Sequence, residues 1–459
     1  MKRSAHTLVI ALLFTASASG PLHSQETEAL TLKECIEIAL TNNSLLRNAE
    51  RRVGLVGTYQ TQARASLLPR INTSLSSGKF IQGARVLKYD VPTGQIDPAT
   101  GGVIYEQREI FQDRTERNSH SASISLQQNI FDFGRSINGL KQANASKEAA
   151  HYDMISTRRS VIMEVKGAYY ELLKTHRLQE VYREAVALGE EQVNRAQTKM
   201  DIGLASQADV YQALVVLGAN RQNLITQENL VEIAKANLNN TLGRDPGTAL
   251  KIIEDRSEPI FPDYPFDEAI ETALSNNEGI KALEMQTRAN RHAINVAKGA
   301  FLPSIGASIS YNRTNDDIGR VYTSELDRDF SATLGIGLNL NIFNGFADKA
   351  AVQREQINYQ MAVEDLADGK RQLIADVKRY FLQLAAYKEI LDINRQNIEA
   401  ARENLRLQQE KRRVGSGTEL DVSEAQVQLI EAQSTFVRAE YDAKIARAQL
   451  ETVLGLESE

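Results

Sequence analysis

The sequence of 459 residues contains no tryptophan, and Cys35 is its only cysteine. One thiol excludes an internal disulfide and a cysteine-based metal site. The six histidines form no pair at metal-ligand spacing, and neither a Walker loop nor a Gly-x-Ser-x-Gly elbow is present. We therefore expect no enzymatic activity, no cofactor and no bound metal, and we predict that Cys35 is a small buried residue.

Long hydrophobic runs are also missing. After the N-terminus, no stretch reaches the roughly 18 to 20 apolar residues that a membrane-spanning helix needs. Hydrophobic residues make up 42% and charged residues 24% of the chain, which is typical of an ordered protein and too polar for a bundle of membrane helices. The formal net charge is -6, and no basic stripe stands out, so we expect no nucleic-acid partner.

The first residues have the pattern of an export signal. Lys2 and Arg3 provide a positive start, an apolar segment follows over 8–14, and 16–18 has the small residues of a cleavage site. We predict a signal peptide over 1–18, with cleavage somewhere in 18–25. No cysteine lies near this site, so no lipid anchor is expected.

The rest of the chain contains an internal repeat. Residues 32–69 align with 266–303 at a constant offset, so that Ala-Leu-Thr-Asn-Asn faces Ala-Leu-Ser-Asn-Asn. A second constant offset begins at an Asn-Ile-Phe motif in each half and continues without a gap to a Leu-Gly pair near each end. We predict a first repeat over 26–250, a linker over 251–265 and a second repeat over 266–459.

Each repeat contains segments with a period of two. We predict a β-hairpin at about 70–131 in the first repeat and at about 304–343 in the second. The longest segment, 331–342, alternates apolar with small or polar residues. Such a pattern fits either a half-buried strand of a soluble sheet or a transmembrane strand with one lipid face. Extra Gly/Pro-rich residues near 91–105 of the first repeat predict a long loop.

Proline placement predicts the helices. Pro69 and Pro303 end the first helix of each copy, and the proline-free tracts predict long helices over 135–199 and 347–412, each roughly 100 Å long. The final helix carries a heptad stripe, which predicts close packing against another helix. Its positions are Val422, Ala425, Leu429, Ala432, Phe436, Ala439, Ala443, Ala446, Leu450 and Val453.

Four strands per chain are too few to close a membrane barrel, for which about eight is the minimum. An open sheet in lipid would leave unpaired backbone groups at both edges. If the strands span a membrane, several chains must share one barrel. Two chains would give a barrel filled by side chains, whereas three would give twelve strands and a lumen.

The doubled order of these motifs resembles the TolC family of outer membrane factors. The motifs are Leu-Leu-Pro and Phe-Leu-Pro before the strands, Asn-Ile-Phe-Asp-Phe-Gly and Asn-Ile-Phe-Asn-Gly-Phe after them, and Val-Gly-Ser-Gly-Thr-Glu-Leu-Asp-Val in a later turn. The resemblance covers nearly the whole chain after the export signal. It implies a mixed α and β fold with a duplicated helix–strand–strand–long-helix unit.

The resemblance also implies an assembly and a location. Members of this family form homotrimers with a shared 12-stranded transmembrane β-barrel in outer-membrane lipid and a long periplasmic α-helical barrel. They serve as passive conduits in tripartite efflux or type I secretion, and their partners are a periplasmic adaptor protein and an inner-membrane transporter. The alternative is an exported periplasmic coiled-coil scaffold without a pore, and an exported enzyme is a distant third.

Two turns between long helices are candidate functional positions. Gly203 and Gly415 are placed to end helices, while Ser206 with Asp209 and Thr418 with Asp421 resemble capping boxes. Ordinary helix-hairpin chemistry explains both turns, and the resemblance implies in addition that they form the periplasmic tip that meets the adaptor. It further implies that Asp421 and Glu424 point into the lumen as a pore constriction. Glu424 has no acidic counterpart in the first repeat, where the matching residue is Gln212.

Overall fold

The computed structural model describes residues 29–254 and 257–456. The predicted signal peptide over 1–18 lies outside these residues. The chain divides into two compact units. The first unit comprises the described residues of Met1–Asn42, with Glu164–Pro259 and Leu391–Asp442; the second comprises Asn43–Met163, Ile260–Ile390 and the described residues of Ala443–Glu459. Each unit therefore combines segments from both halves of the sequence.

Four helices of the first half recur in the same order in the second half. The first half contains α1 (Leu32–Asn42), α2 (Ser44–Ala65), α3 (Arg135–Asp201) and α4 (Gln207–Thr241). The second half contains α5 (Phe266–Asn276), α6 (Glu278–Lys298), the single turn α7 (Ile318–Val321), α8 (Ala347–Arg413) and α9 (Glu419–Leu454). The two predicted long helices are confirmed, since α3 and α8 each have 67 residues and contain the predicted ranges entirely.

Each half begins with two helices, where the proline positions predicted one. Asn43 and Asn277 lie at the breaks, and each caps the helix that follows. Asn43 Oδ1 accepts hydrogen bonds from the backbone N–H groups of Leu45 (2.9 Å) and Leu46 (3.4 Å). Asn277 Oδ1 accepts one from the N–H of Ile280 (3.2 Å). Because asparagine is a preferred N-cap residue, the repeated Asn-Asn motif starts a new helix before the proline is reached.

The strands of the described chain are β1 (Arg70–Gln82), β2 (Arg85–Ile96), β3 (Val103–Gln112), β4 (Thr115–Phe131), β5 (Ser304–Asn315) and β6 (Phe330–Asn339). Four of them form one antiparallel sheet in the order β1-β4-β5-β6, while β2 and β3 form a separate sheet of two strands. The segments with a period of two are strands, as predicted, and the strands of the first half are longer than the pattern indicated.

The prediction of a long loop near 91–105 was wrong. Most of this stretch belongs to the β2–β3 hairpin, and only a short turn remains, in which the Asp97 N–H donates to the Gly102 carbonyl (2.8 Å). Pro92 is tolerated because a two-stranded sheet has only edge strands. Gly94 adopts a φ of 79° next to the register shift between Pro92 and Ile96. The proline and glycine therefore mark an irregular strand end.

The predicted heptad stripe of α9 is buried or half-buried at every position. The matching stripe of α4 contains two buried amides, Asn220 and Gln227. Asn220 Nδ2 donates to the carbonyl of Ala185 (3.1 Å), and Gln227 Nε2 donates to the carbonyl of Thr175 (2.9 Å). Both carbonyls belong to α3, so these polar residues join the two helices instead of interrupting their contact.

Cys35 lies fully buried in α1. Burial raises the pKa of its thiol to about 11, so the thiol stays protonated and unreactive at neutral pH. The prediction of a small buried residue is confirmed.

Candidate functional site

One face of the four-stranded sheet is lined by small polar residues. Directly paired residues of an antiparallel sheet place their side chains on the same face, so the register assigns the residues to rows. One row consists of Ser74, Ser123, Asn312 and Ser331. The Oγ atoms of Ser74 and Ser123 lie 2.6 Å apart. Among the paired residues of this face, the only charged ones are Arg70 near one end and Arg117 near the other.

Next to the strand ends that lead into the helices, the opposite face of the same sheet is apolar and exposed, whereas farther along it carries Lys79, Glu116 and Arg313. One complete row consists of Ile71, Leu126, Ile309 and Leu334. Leu334 and Ile336 are 77% and 79% exposed, which is unusual for aliphatic residues on a regular strand facing water. A sheet with one aliphatic face and one hydroxyl-lined face has the pattern of strands between lipid and an aqueous lumen.

Aromatic side chains lie near both ends of the apolar face. Tyr311 and Phe330 stack with their ring centroids 5.3 Å apart at one end. At the other end, where the strands lead into helices, the rings of Phe131 and Phe133 lie 4.7 Å apart. Girdles of aromatic residues flank the apolar band of membrane strands, because their amphipathic rings suit the lipid interface.

The sheet is open at both edges. β1 and β6 are the edge strands, and neither outer edge has a strand partner within the described residues. In lipid, each unpaired N–H or C=O group costs several kcal/mol. If the apolar face lies in lipid, strands from other chains must therefore cover these edges.

The Asn-Ile-Phe motifs build the turns from strand to long helix. Asp132 caps α3, accepting hydrogen bonds from the backbone N–H of Ser136 (2.9 Å) and from Asn129 Nδ2 (2.8 Å). Phe133 and Gly134 both have positive φ, 51° and 83°. The second copy makes the same turn with asparagine as the cap and with the glycine and phenylalanine in reverse order. The motif therefore encodes one local geometry twice.

The turn between α3 and α4 is closed by backbone and side-chain hydrogen bonds. Gly203 has a φ of 77°, and the N–H of Leu204 donates to the carbonyl of Lys199 (2.7 Å), which satisfies the helix end. Ser206 and Asp209 form the predicted capping box, in which the Ser206 N–H donates to Asp209 Oδ2 (2.8 Å). These hydrogen bonds lower the pKa of Asp209.

The turn between α8 and α9 repeats this geometry. Gly415 has a φ of 83°, and the N–H of Ser416 donates to the carbonyl of Lys411 (2.9 Å). Thr418 and Asp421 form the second capping box, in which the Thr418 N–H donates to Asp421 Oδ2 (2.8 Å) and the Asp421 N–H donates to Thr418 Oγ1 (3.1 Å). Hydrogen bonds from the Thr418 side chain and backbone lower the pKa of Asp421.

An ion pair distinguishes the second turn from the first. Arg412 and Glu419 contact each other across the turn, and both side chains are nearly buried. Burial and the nearby Arg195 lower the pKa of Arg412, although Asp209 opposes this shift. This pair was not predicted from the sequence, although the repeat carries a signal for it, because Met200 and Gln207 occupy the matching positions of the first turn.

Asp421 and Glu424 have different surroundings on α9. The Asp421 carboxylate is engaged in the capping box, whereas Glu424 is exposed and makes no hydrogen bond or ion pair within the described chain. Whether their charges converge depends on neighbouring copies of the chain. The role of both residues in a constriction stays a prediction.

Among the described residues, no helix has both the length and the apolar character needed to cross a membrane. The same residues contain no group of three or more His, Cys, Asp or Glu side chains arranged to hold a metal.

Together, a two-faced sheet with open edges and long paired helices define a protein of the outer-membrane channel class. The chain belongs to the outer membrane efflux protein family, whose model matches residues 35–244 and 269–456. The predicted family is thereby confirmed, and the protein is an efflux protein of the outer membrane.

Individual relatives agree with this family. The outer membrane efflux protein BepC of Brucella suis is 26% identical over 346 residues, which cover 74% of this chain and 73% of that protein. The outer membrane protein TolC of Vibrio cholerae is 24% identical over 452 residues, which cover 97% of this chain and 95% of that protein. The crystal structure of the outer membrane protein VceC of Vibrio cholerae superimposes with a TM-score of 0.77 at 19% identity, covering 93% and 97% of the two chains. This last likeness confirms the predicted fold.

Proposed function

We propose that three copies of this chain form one channel with a shared barrel of twelve strands. The observation that carries the proposal is the four-stranded sheet with its hydroxyl-lined face, aliphatic face and two open edges. Joining the β1 edge of one copy to the β6 edge of the next satisfies every edge without further strands. Three copies leave a lumen, which two copies would not.

The lumen of this barrel is a passive conduit. Its wall would carry hydroxyl, amide and glycine groups with few charges, so water-filled transport through it does not require a specific site along the strands. A constriction is supplied instead by Asp421 and Glu424. The exposed Glu424 carboxylate supports this assignment, because three copies would gather at least three uncompensated negative charges.

The helical turns are the proposed docking surface for a periplasmic adaptor that connects the channel to an inner-membrane transporter. Exposed apolar residues support this proposal. Ile202 and Leu204 in the first turn are 66% and 74% exposed, and Val414 in the second turn is 68% exposed. Glycine and the capping boxes hold the backbone of both turns, which leaves these side chains free to contact a partner.

Three measurements test the proposal. Native mass spectrometry in detergent should show a trimer as the main species, and the protein should conduct ions in planar bilayers. Leu204→Asp combined with Val414→Asp should abolish cross-linking to an adaptor in the cell envelope while the trimer and its conductance persist. A stable monomer or dimer would contradict the shared barrel, and unchanged cross-linking would place the adaptor elsewhere.

A further inference from the structure

The polar face of the sheet ends in a cavity of about 880 Å³. Its wall combines the sheet with the C-terminal ends of α2 and α6 and the N-terminal end of α3. A volume of this size is typical of sites for small organic molecules. The cavity lies within the second unit, and it includes none of the residues proposed for the constriction.

Two arginines line this cavity without an anionic partner. The side chains of Arg70 and Arg135 make no ion pair and no hydrogen bond within the described chain. Asp132 is the only acidic residue among those lining the cavity, and its carboxylate already accepts hydrogen bonds from Asn129 and from the backbone and side chain of Ser136. The cavity therefore carries net positive charge.

The repeat shows that the fold does not require these charges. In the second copy, Ser304 occupies the position of Arg70, and Ala347 occupies the position of Arg135. The second copy builds the same strand-to-helix turn without either arginine. A purely structural role for the two guanidinium groups is therefore not needed to explain the junction.

Arg135 also has a defined place in the wall. A Cβ atom on Gly299 would lie 3.0 Å from the Cβ of Arg135, so glycine at this position leaves room for the arginine stem to pack against the end of α6. The stem packs there while the guanidinium remains available to a ligand. The nearby N-terminus of α3 adds a partial positive charge to the same cavity.

We propose that this cavity binds amphipathic organic anions. A sulfonate or carboxylate would accept hydrogen bonds from Arg70 and Arg135, whose planar forks match such groups. Leu68, Leu302 and Pro303 line the same cavity and offer an apolar surface to the rest of the molecule. The cavity opens on the hydroxyl-lined face, so its place on a transport route rests on the proposed channel, whereas binding itself does not.

Calorimetry on the detergent-solubilised full chain tests this site, with naphthalene-2-sulfonate as the probe. Replacing both arginines (Arg70→Gln with Arg135→Gln) should weaken binding about tenfold or more, since each charge-assisted pair contributes on the order of that factor. Arg117→Gln is the matched control, because it removes the other arginine of the polar face outside the cavity and should leave binding unchanged. The uncharged analogue 2-naphthalenemethanol should not distinguish the wild type from the double variant.

Three results would separate the alternatives. If Arg117→Gln weakens probe binding as much as the double replacement does, the site is overturned, since the probe would then be attracted by the overall positive charge of the polar face. An absence of saturable binding to the wild type would also overturn it. If the wild type binds the probe and the double variant does not, but the wild type never conducts ions in bilayers, the site stands and the channel proposal fails.

Discussion

A Cβ atom placed on Gly243 would lie 2.7 Å from the carbonyl oxygen of Asn42. The equivalent atom on Gly455 would lie 2.9 Å from the carbonyl carbon of Asn276. The repeated Leu-Gly and Asn-Asn motifs, which are far apart in each half of the sequence, therefore meet in the structure. Each glycine also has a positive φ, 71° and 68°, so both the space and the backbone conformation require glycine.

We expect Gly243→Ala to be more destabilising than Gly203→Ala. Both positions have a positive φ, which costs a residue with a Cβ about 1 to 2 kcal/mol. Gly203 has open space around it, so the strained backbone conformation is the only source of destabilisation in Gly203→Ala. At Gly243 the contact with Asn42 backbone atoms adds about 1 to 3 kcal/mol. Urea unfolding of the two variants in detergent measures the difference, and equal costs would show that the Asn42 contact relaxes.

An ion pair of the second unit connects the two halves of the chain. Arg159 Nε lies 2.9 Å from Glu278 Oε2, and Arg159 Nη2 donates to Glu278 Oε1 (3.0 Å). Arg159 Nη1 also donates to the carbonyl of Leu456 (2.5 Å). Since the two charged side chains are only 19% and 11% exposed, removing one partner would leave the other charge buried.

Glu278→Gln should therefore lower the free energy of unfolding by about 3 kcal/mol. Glu399→Gln is the control, because it breaks an ion pair with Arg402 that is 70% and 59% exposed and should change stability by less than about 1 kcal/mol. Chemical unfolding in detergent compares the two variants. A similar small effect for both would mean that water reaches Arg159 freely.

The capping boxes predict a pH dependence confined to the helical turns. The pKa of Asp209 and that of Asp421 are lowered from 3.8 by their capping hydrogen bonds, so both carboxylates favour folding in their ionised form. This stability is fully present above the unfolded pKa of 3.8 and is lost as the pH falls through the lower folded values. The protection of the turn amides against hydrogen exchange, relative to the intrinsic rate at each pH, should fall only below about pH 4. In the Asp421→Asn variant, the second turn should lose this pH dependence while the first turn keeps it.

The periodic features of the sequence predicted most of the fold. Stretches such as the α9 heptad and the alternation before Asn339 report directly on which side is buried, because their periods match helix and strand geometry. The β2–β3 hairpin was missed because Pro92 and Gly94 outweighed the alternation around them. Arg70 and Arg135 could not be brought together from sequence, since their proximity depends on the packing of strand and helix ends.

The β2–β3 hairpin should be dispensable for assembly. It forms a sheet of its own, and among the described residues it shares no strand pairing with the four-stranded sheet. Deleting 83–114 and joining Gln82 to Thr115, which are paired neighbours, through Asn-Gly creates a two-residue turn of the favoured type. We expect a trimer of wild-type heat stability on gels and unchanged export. Loss of the trimer would show that neighbouring copies contact one another through the hairpin.

Replacement of Glu424 tests the constriction without disturbing the helix cap. Asp421 is a poor choice for this purpose, because its carboxylate holds the Thr418 turn and its loss would change the backbone as well as the charge. Glu424→Gln makes α9 resemble α4, where Gln212 already occupies the same position in a properly capped helix. Any effect of this variant therefore reports on charge.

In planar bilayers, Glu424→Gln should raise the concentration of divalent cations that half-blocks the current by about tenfold, equivalent to roughly 1.4 kcal/mol of lost attraction. It should also reduce cation selectivity, since a ring of carboxylates in a narrow pore attracts cations and repels anions. Glu410→Gln is the control, because it removes one negative charge near the same turn, where Glu410 is paired with Arg413 (3.0 Å), from a residue that is not assigned to the constriction. If Glu424→Gln keeps wild-type block and selectivity while conductance is intact, the carboxylate does not face the lumen and the narrowest part of the channel lies elsewhere.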